Sequence, residues 1–222
     1  MNLTGKFLIA ASALVALTGA ATAADLYVAP AAAPAMAPAV SSWDGLYIGA
    51  LVGYSQGTAN NTSSTTIGQI NTTGWQIGVQ GGYNFHISDN IVAGIGADLV
   101  WDNAAGTYTG GPTITEQRNW DGSVTGRLGV DLNGVVPYVL GGVAFANATR
   151  TTTAGAPLTA TMTHTGYTVG AGVEFSLAQN LSADVEYRYS NYGSQSYALN
   201  GTTYPVNLTD NSIRFGLNYH FQ

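Results

Sequence analysis

The chain has 222 residues, only 8% of them charged, with 29 Gly, 13 Tyr, no Cys and a formal net charge of −6. So few charges, at 45% hydrophobic content, exclude a disordered chain and a soluble helical bundle, whose outer faces need Lys, Glu and Arg. The absence of Cys removes disulfides, thiol chemistry and Cys-ligated zinc, and no run of about 18 apolar residues follows the N-terminus to make a membrane helix.

Residues 1–23 read as a signal peptide. Lys6 sits in a short polar start, an apolar stretch runs from Phe7 to Leu17, and Ala21-Thr22-Ala23 supplies the small residues a signal peptidase reads, with Ala24 following the cut. Cleavage leaves five Arg against 12 Asp and Glu, a formal charge of −7. That balance excludes nucleic acid held by a basic patch. Residues 24–42 form an Ala/Pro-rich periplasmic segment in which Pro30, Pro34 and Pro38 each remove a backbone donor and disfavour helix before them, giving a semi-extended linker.

From Trp43 the hydrophobic period is two, the period of a strand. Leu46, Ile48, Ala50, Val52 and Tyr54 share one face of the first strand. In Trp75–Phe85, the odd positions Trp75, Ile77, Val79, Tyr83 and Phe85 are apolar and the even ones polar or Gly. Ile91–Trp101, Trp120–Leu132, Thr165–Phe175, Leu181–Tyr189 and Ile213–Phe221 repeat the alternation. Val136–Asn147 is the fifth strand, but both its faces are apolar and the pattern leaves its orientation open. Tight turns are expected at 87–90, at Asn133-Gly134 and at 178–180. Long polar loops are expected at 55–73, 103–118, 148–163 and 191–211. A soluble barrel places apolar residues inside and charges outside; here Gly and the charged residues share a face, and aromatic residues such as Trp75, Phe85, Trp101 and Trp120 cluster at strand ends. The fold expected for 43–222 is therefore all-β: an eight-stranded antiparallel up-and-down transmembrane β-barrel in the outer membrane lipid, with aromatic girdles at both interfaces.

With the apolar face toward lipid, Asp98, Arg127, Asp131, Glu174, Asp184, Glu186, Arg188 and Arg214 point into the lumen. An eight-stranded interior is just wide enough to be filled by its own side chains. Isolated charges there are costly, so an Arg–carboxylate network that fills the lumen is expected. The surplus of acids supports an alternative, a narrow cation-preferring, porin-like channel. No catalytic set is assigned. His86 and His220 belong at the tight-turn rim and His164 points inward, whereas a hydrolase of outer-leaflet lipid needs its His on the lipid side of the loop rim. A surface protease needs acid and His meeting above the rim, where the loops offer only Glu116 and Asp210. No metal spacing such as His-x-x-His occurs, and no cofactor is assigned. The 55–73 loop carries no charge and the others carry only Glu116, Arg118, Arg150 and Asp210; such loops can present hydroxyls and amides to proteins or glycans, as in an adhesion protein, and cannot grip polyanions strongly.

The segments WDGLYIGALVGYS, GRLGVDL, PYVLGGVAFA, YTVGAGVEF and ADVEYRYSNYG, in this order and spacing after an Ala/Pro tract, resemble the small outer-membrane barrels of alphaproteobacteria known as outer-membrane immunogenic proteins, which go with OmpA-like eight-stranded barrels. The resemblance covers essentially the whole chain. It implies a structural surface antigen of the cell envelope. It also implies a C-terminal signal read by the barrel-assembly machinery, carried here by Arg214, Gly216, Tyr219 and Phe221, although this chain adds Gln222 after the usual final Phe. Some members of the family bind haemin, for which His164 with Tyr167, or Tyr108 and Tyr197, are the candidate ligands.

Overall fold

The computed structural model of the protein describes residues 43–61, 69–110, 113–153, 158–199 and 202–221. The segment expected to be a signal peptide, with the expected cleavage residues Ala21, Ala23 and Ala24, the Ala/Pro segment and Gln222 lie outside the described residues.

The described residues form nine antiparallel strands and no helix: β1 (Gly45–Asn61), β2 (Ile70–Ser88), β3 (Ile91–Asp102), β4 (Ala105–Tyr108), β5 (Thr113–Val130), β6 (Val135–Thr153), β7 (Leu158–Ala178), β8 (Leu181–Leu199) and β9 (Thr202–His220). β2 pairs with β3 and β4, both of these pair with β5, and β5 to β9 pair in chain order; β1 pairs with both β2 and β9, so the sheet closes on itself, although the β7–β8 register reaches only to Tyr167–Asn191. β3 and β4 make one stave, broken at Asn103-Ala104. There side chains replace ladder bonds: Trp75 N donates to Asn103 Oδ1 (2.7 Å) and Ala104 N to Asp102 Oδ1 (2.6 Å). The barrel thus has eight staves.

At one rim the hairpins are tight. Asn133 (φ 59°) and Gly134 (φ 98°) both sit in the left-handed region, as a two-residue type I′ turn requires, and Leu132 N donates to Val135 O (2.9 Å). Between the girdles the outward face is apolar and bare: Ile77 is 63% exposed and Ile95 65%. Tyr54 and Trp75 meet edge to face, Trp101 pairs with Trp120 across β3 and β5, and Tyr219 and Phe221 meet at the tight-turn rim. β6 turns Val136, Tyr138, Leu140, Ala144 and Ala146 inward and Val139 and Val143 to lipid, which sets the orientation its sequence left open.

Two expectations are corrected. The long loops are mostly strand: residues 55–61, 70–73, 105–108, 113–118, 148–153, 158–163, 191–199 and 202–211 continue the staves, and β7 reaches 21 residues, about twice what crosses a bilayer. These segments are rich in Thr, a β-former, and their pattern inverts above the girdle. Ala59, Ile70, Ile114, Ala146, Ala148, Val206 and Leu208 face inward, while Thr and Asn face out. A wall with a polar outer side and an apolar inner side is the pattern of strands that stand clear of the hydrocarbon core. The second correction concerns parity. A register shift between Arg118 and Trp120 and another between Asn191 and Ser194 move the inward set from even to odd positions, so Arg118 and Asp121 both point inward, as do Tyr192 and Tyr197.

Candidate functional site

The lumen is filled in tiers. At the tight-turn rim, Trp43 is 2% exposed, packs with Val92 and Val136, and meets the His220 ring edge-on at 5.5 Å. Above it Arg127 Nη2 donates to Glu174 Oε2 (2.6 Å), with its guanidinium 4.7 Å from the Tyr138 ring centre. Glu174 Oε1 accepts from Ser182 Oγ (2.6 Å) and Asn218 Nδ2 (3.2 Å). The next tiers form a continuous chain of charge. Arg188 donates to Glu186 (2.6 Å) and Asp98 (2.7 Å), and Arg214 to Asp98 (3.0 Å) and Asp121 (2.9 Å). Gln76 Nε2 bridges Asp121 (3.2 Å) and Asp102 (2.9 Å), and Arg118 donates to Asp102 (2.7 Å), Asp210 (2.9 Å) and Ser55 Oγ (2.7 Å). An apolar tier of Ala, Ile, Val, Leu and Tyr side chains lies toward the far end. There Arg150 Nε lies 3.6 Å from Glu116 Oε2, and His164 Nε2 lies 2.9 Å from the Tyr197 hydroxyl.

Of the residues expected in the lumen, Asp98, Arg127, Glu174, Asp184, Glu186, Arg188 and Arg214 are there. Asp184 touches no Arg and instead accepts from Asn218 (2.8 Å) and Gln80 (3.0 Å). Asp131 is not in the lumen: it lies at the rim and accepts from Gly134 N (3.2 Å), because β5 ends at Val130 and its carboxylate serves the turn. Sequence reasoning left out Asp102 and Asp121, and placed Glu116, Arg118, Arg150 and Asp210 in exposed loops. All six are buried. Asp121 shares parity with Arg127 and could have been found; Arg118 could not, because the bulge reverses its side. The residues expected to carry an assembly signal split by face. Arg214 and Gly216 point inward, and a Cβ on Gly216 would collide with the carboxylate of Asp184 and the amide of Gln80; Tyr219 and Phe221 face lipid.

The geometry bears on chemistry. Ser182, His220 and Glu174 cluster, but His220 Nε2 faces both the Ser182 hydroxyl (2.9 Å) and Glu174 (3.4 Å), and the acid binds the serine directly. A nucleophilic relay needs the His between the two. His164 and Tyr167 lie on opposite sides of the wall, His164 buried and Tyr167 52% exposed, so they cannot ligate one iron. Among the described residues no cluster of His, Asp and Glu is arranged to hold a metal. Above the girdle, Glu116 is buried with neither oxygen hydrogen-bonded; burial pushes its carboxyl up to about 7, against the pull of Arg150.

Residues 10–221 match the family model described as outer membrane protein beta-barrel domain. A 25 kDa outer-membrane immunogenic protein of Brucella abortus is 33% identical over 162 residues, 73% of each chain. A 22 kDa outer membrane protein of Rhizobium leguminosarum bv. viciae is 31% identical over 140 residues, 63% of each. The crystal structure of the outer membrane protein OprG from Pseudomonas aeruginosa superimposes with a TM-score of 0.52 at 13% identity, covering 80% of this chain and 97% of that one, a likeness of fold.

Proposed function

The chain belongs to the outer membrane protein beta-barrel domain family and is a β-barrel of the bacterial outer membrane; from that premise we propose that it is a structural barrel of the envelope, non-catalytic, with a lumen sealed by its own side chains and an uncharged outer rim. The observation that carries this reading is the unbroken chain Glu186–Arg188–Asp98–Arg214–Asp121 and Asp102–Arg118–Asp210, bridged by Gln76 and capped by Trp43 below and the apolar tier above. An ion crossing the barrel must separate buried pairs, each at a cost of about 3–5 kcal/mol. In this reading β9 engages the assembly machinery during insertion, and the rim carries the surface-antigen character named for the Brucella relative.

One observation favours a second reading, the narrow cation pathway: eight buried acids face five Arg in the described lumen. Single-channel recording in planar bilayers separates the two. The refolded protein is expected to leave the bilayer silent; reproducible cation-selective steps would replace the sealed barrel with the channel.

A further inference from the structure

The outward wall above the girdle differs from every other surface of the barrel. All five Arg point inward, and so does every acid at that height, namely Asp102, Glu116 and Asp210. The described acids outside the lumen, Asp44, Asp89 and Asp131, lie at the opposite rim. What remains is a collar of hydroxyls and amides joined from strand to strand. Thr58 meets Thr209 (2.7 Å), Thr107 meets Thr115 (3.4 Å), Asn119 donates to Asn147 (2.8 Å) and Thr149 (2.9 Å), and Asn147 donates to Thr163 (3.2 Å). Thr149 meets Thr161 (2.9 Å) and Thr151 meets Thr159 (3.2 Å).

We propose that this collar docks the neutral sugar rings of outer-leaflet glycolipids. Three physical points lead there. The collar joins the lipid-facing belt without a break, so its neighbour is the head group of the lipids that touch that belt. Its height selects the head group: from Thr165 to Thr159, at about 3.3 Å per residue and a tilt of about 40°, it rises on the order of 15 Å. A phospholipid head-group layer is only about 5–8 Å deep, so a taller, oligosaccharide head group is needed to cover it. Its chemistry selects sugar over phosphate. Among the described residues above the girdle, no outward cation is present to pair with a phosphate, and no outward carboxylate to hold a bridging metal ion. Thr side chains are stiff about χ1 and already aligned by their inter-strand bonds, so ordering them for a sugar costs little entropy. In a Thr pair one hydroxyl proton bridges the two oxygens, and the other proton and the remaining lone pairs are free for a ligand.

The test is amide hydrogen exchange of 147–153 and 159–165 in the full barrel reconstituted into phosphatidylcholine vesicles, with and without digalactosyl diacylglycerol. Exchange is expected to slow about threefold or more in the glycolipid, as for a ligand present at twice its Kd. The same mole fraction of phosphatidylglycerol should not slow it, nor should free galactose disaccharide at millimolar concentration. Thr149→Val with Thr161→Val keeps shape and β propensity and should abolish the slowing. Equal slowing by phosphatidylglycerol, slowing by the free sugar, no slowing by the glycolipid, or full slowing in the double variant would each overturn the proposal. The three lipid comparisons decide it on the unaltered chain even if that variant does not fold. A conducting barrel would leave this result untouched.

Discussion

Removing Arg214 tests the lumen directly. Its guanidinium is 3% exposed and donates to Asp98 at 3.0 Å and Asp121 at 2.9 Å. In Arg214→Met the two acids fare differently. Asp98 keeps Arg188 at 2.7 Å and the Ser123 hydroxyl. Asp121 keeps only the Gln76 amide at 3.2 Å and Arg118 at 4.0 Å. The stranded charge is therefore chiefly on Asp121, and the loss should be about 3–5 kcal/mol, as for a broken buried pair. Adding Asp121→Asn removes that charge while keeping the side-chain shape, and should recover about 2 kcal/mol. Adding Asp98→Asn should recover less and harm Arg188. The assay is urea-induced unfolding in phospholipid vesicles for the single and double variants. If Asp121→Asn and Arg214→Met cost the same separately as together, within about 0.5 kcal/mol of additivity, the two residues do not act as a pair and the lumen assignment is wrong.

Val79 faces lipid and Gln80 the lumen beside Asp184, so Val79→Arg is expected to cost about 2–4 kcal/mol near the midplane and Gln80→Arg much less, in the same vesicle assay; equal costs would reverse the in/out assignment. Glu116 keeps its proton to about pH 7 in the folded barrel, against an ordinary value of 4.5. The folded state thus binds more protons than the open one between those values, so the stability of the β5–β6 extension is greatest below about pH 4.5 and falls as pH rises to 7, by on the order of 3 kcal/mol. Hydrogen exchange corrected for intrinsic rates should show easier opening at pH 8 than at pH 5, and Glu116→Gln should flatten the profile; a flat profile in the unaltered chain would refute the burial argument. Phe221→Ala should lower surface levels in cells more than refolding yield in detergent, because Phe221 also bonds Leu46 O through its backbone (2.8 Å), which the substitution keeps; equal losses would make Phe221 a girdle residue only.

The belt between the girdles was legible in the chain because lipid tolerates only apolar side chains and a strand alternates faces strictly. Trp75, Ile77 and Val79 against Gln76 and Gln80 therefore decide which side is which without any coordinates. The Asn133-Gly134 turn was equally local, since two successive residues at positive φ call for those residue types. Above the girdle the same alternation runs on with its polarity reversed. Small inward residues such as Ala59, Ala146 and Ala148 carry too little hydrophobic contrast against Thr and Asn to mark a strand, so these segments looked like loops.

What the tertiary structure alone decided is nonlocal. Arg118 turns inward because one extra residue is accommodated before Trp120, and nothing in the residue types there signals a bulge. β6 is apolar on both faces, so its orientation follows from its neighbours' register, with Leu140 opposite Arg127 on β5 and Gly170 on β7. The charge partners are set by closure of the barrel: Asp98 meets Arg188 and Arg214, 90 and 116 residues further along the chain. Alternation tells each charge which way to face, but only the curvature and stagger of the closed sheet bring a particular Arg within reach of a particular carboxylate.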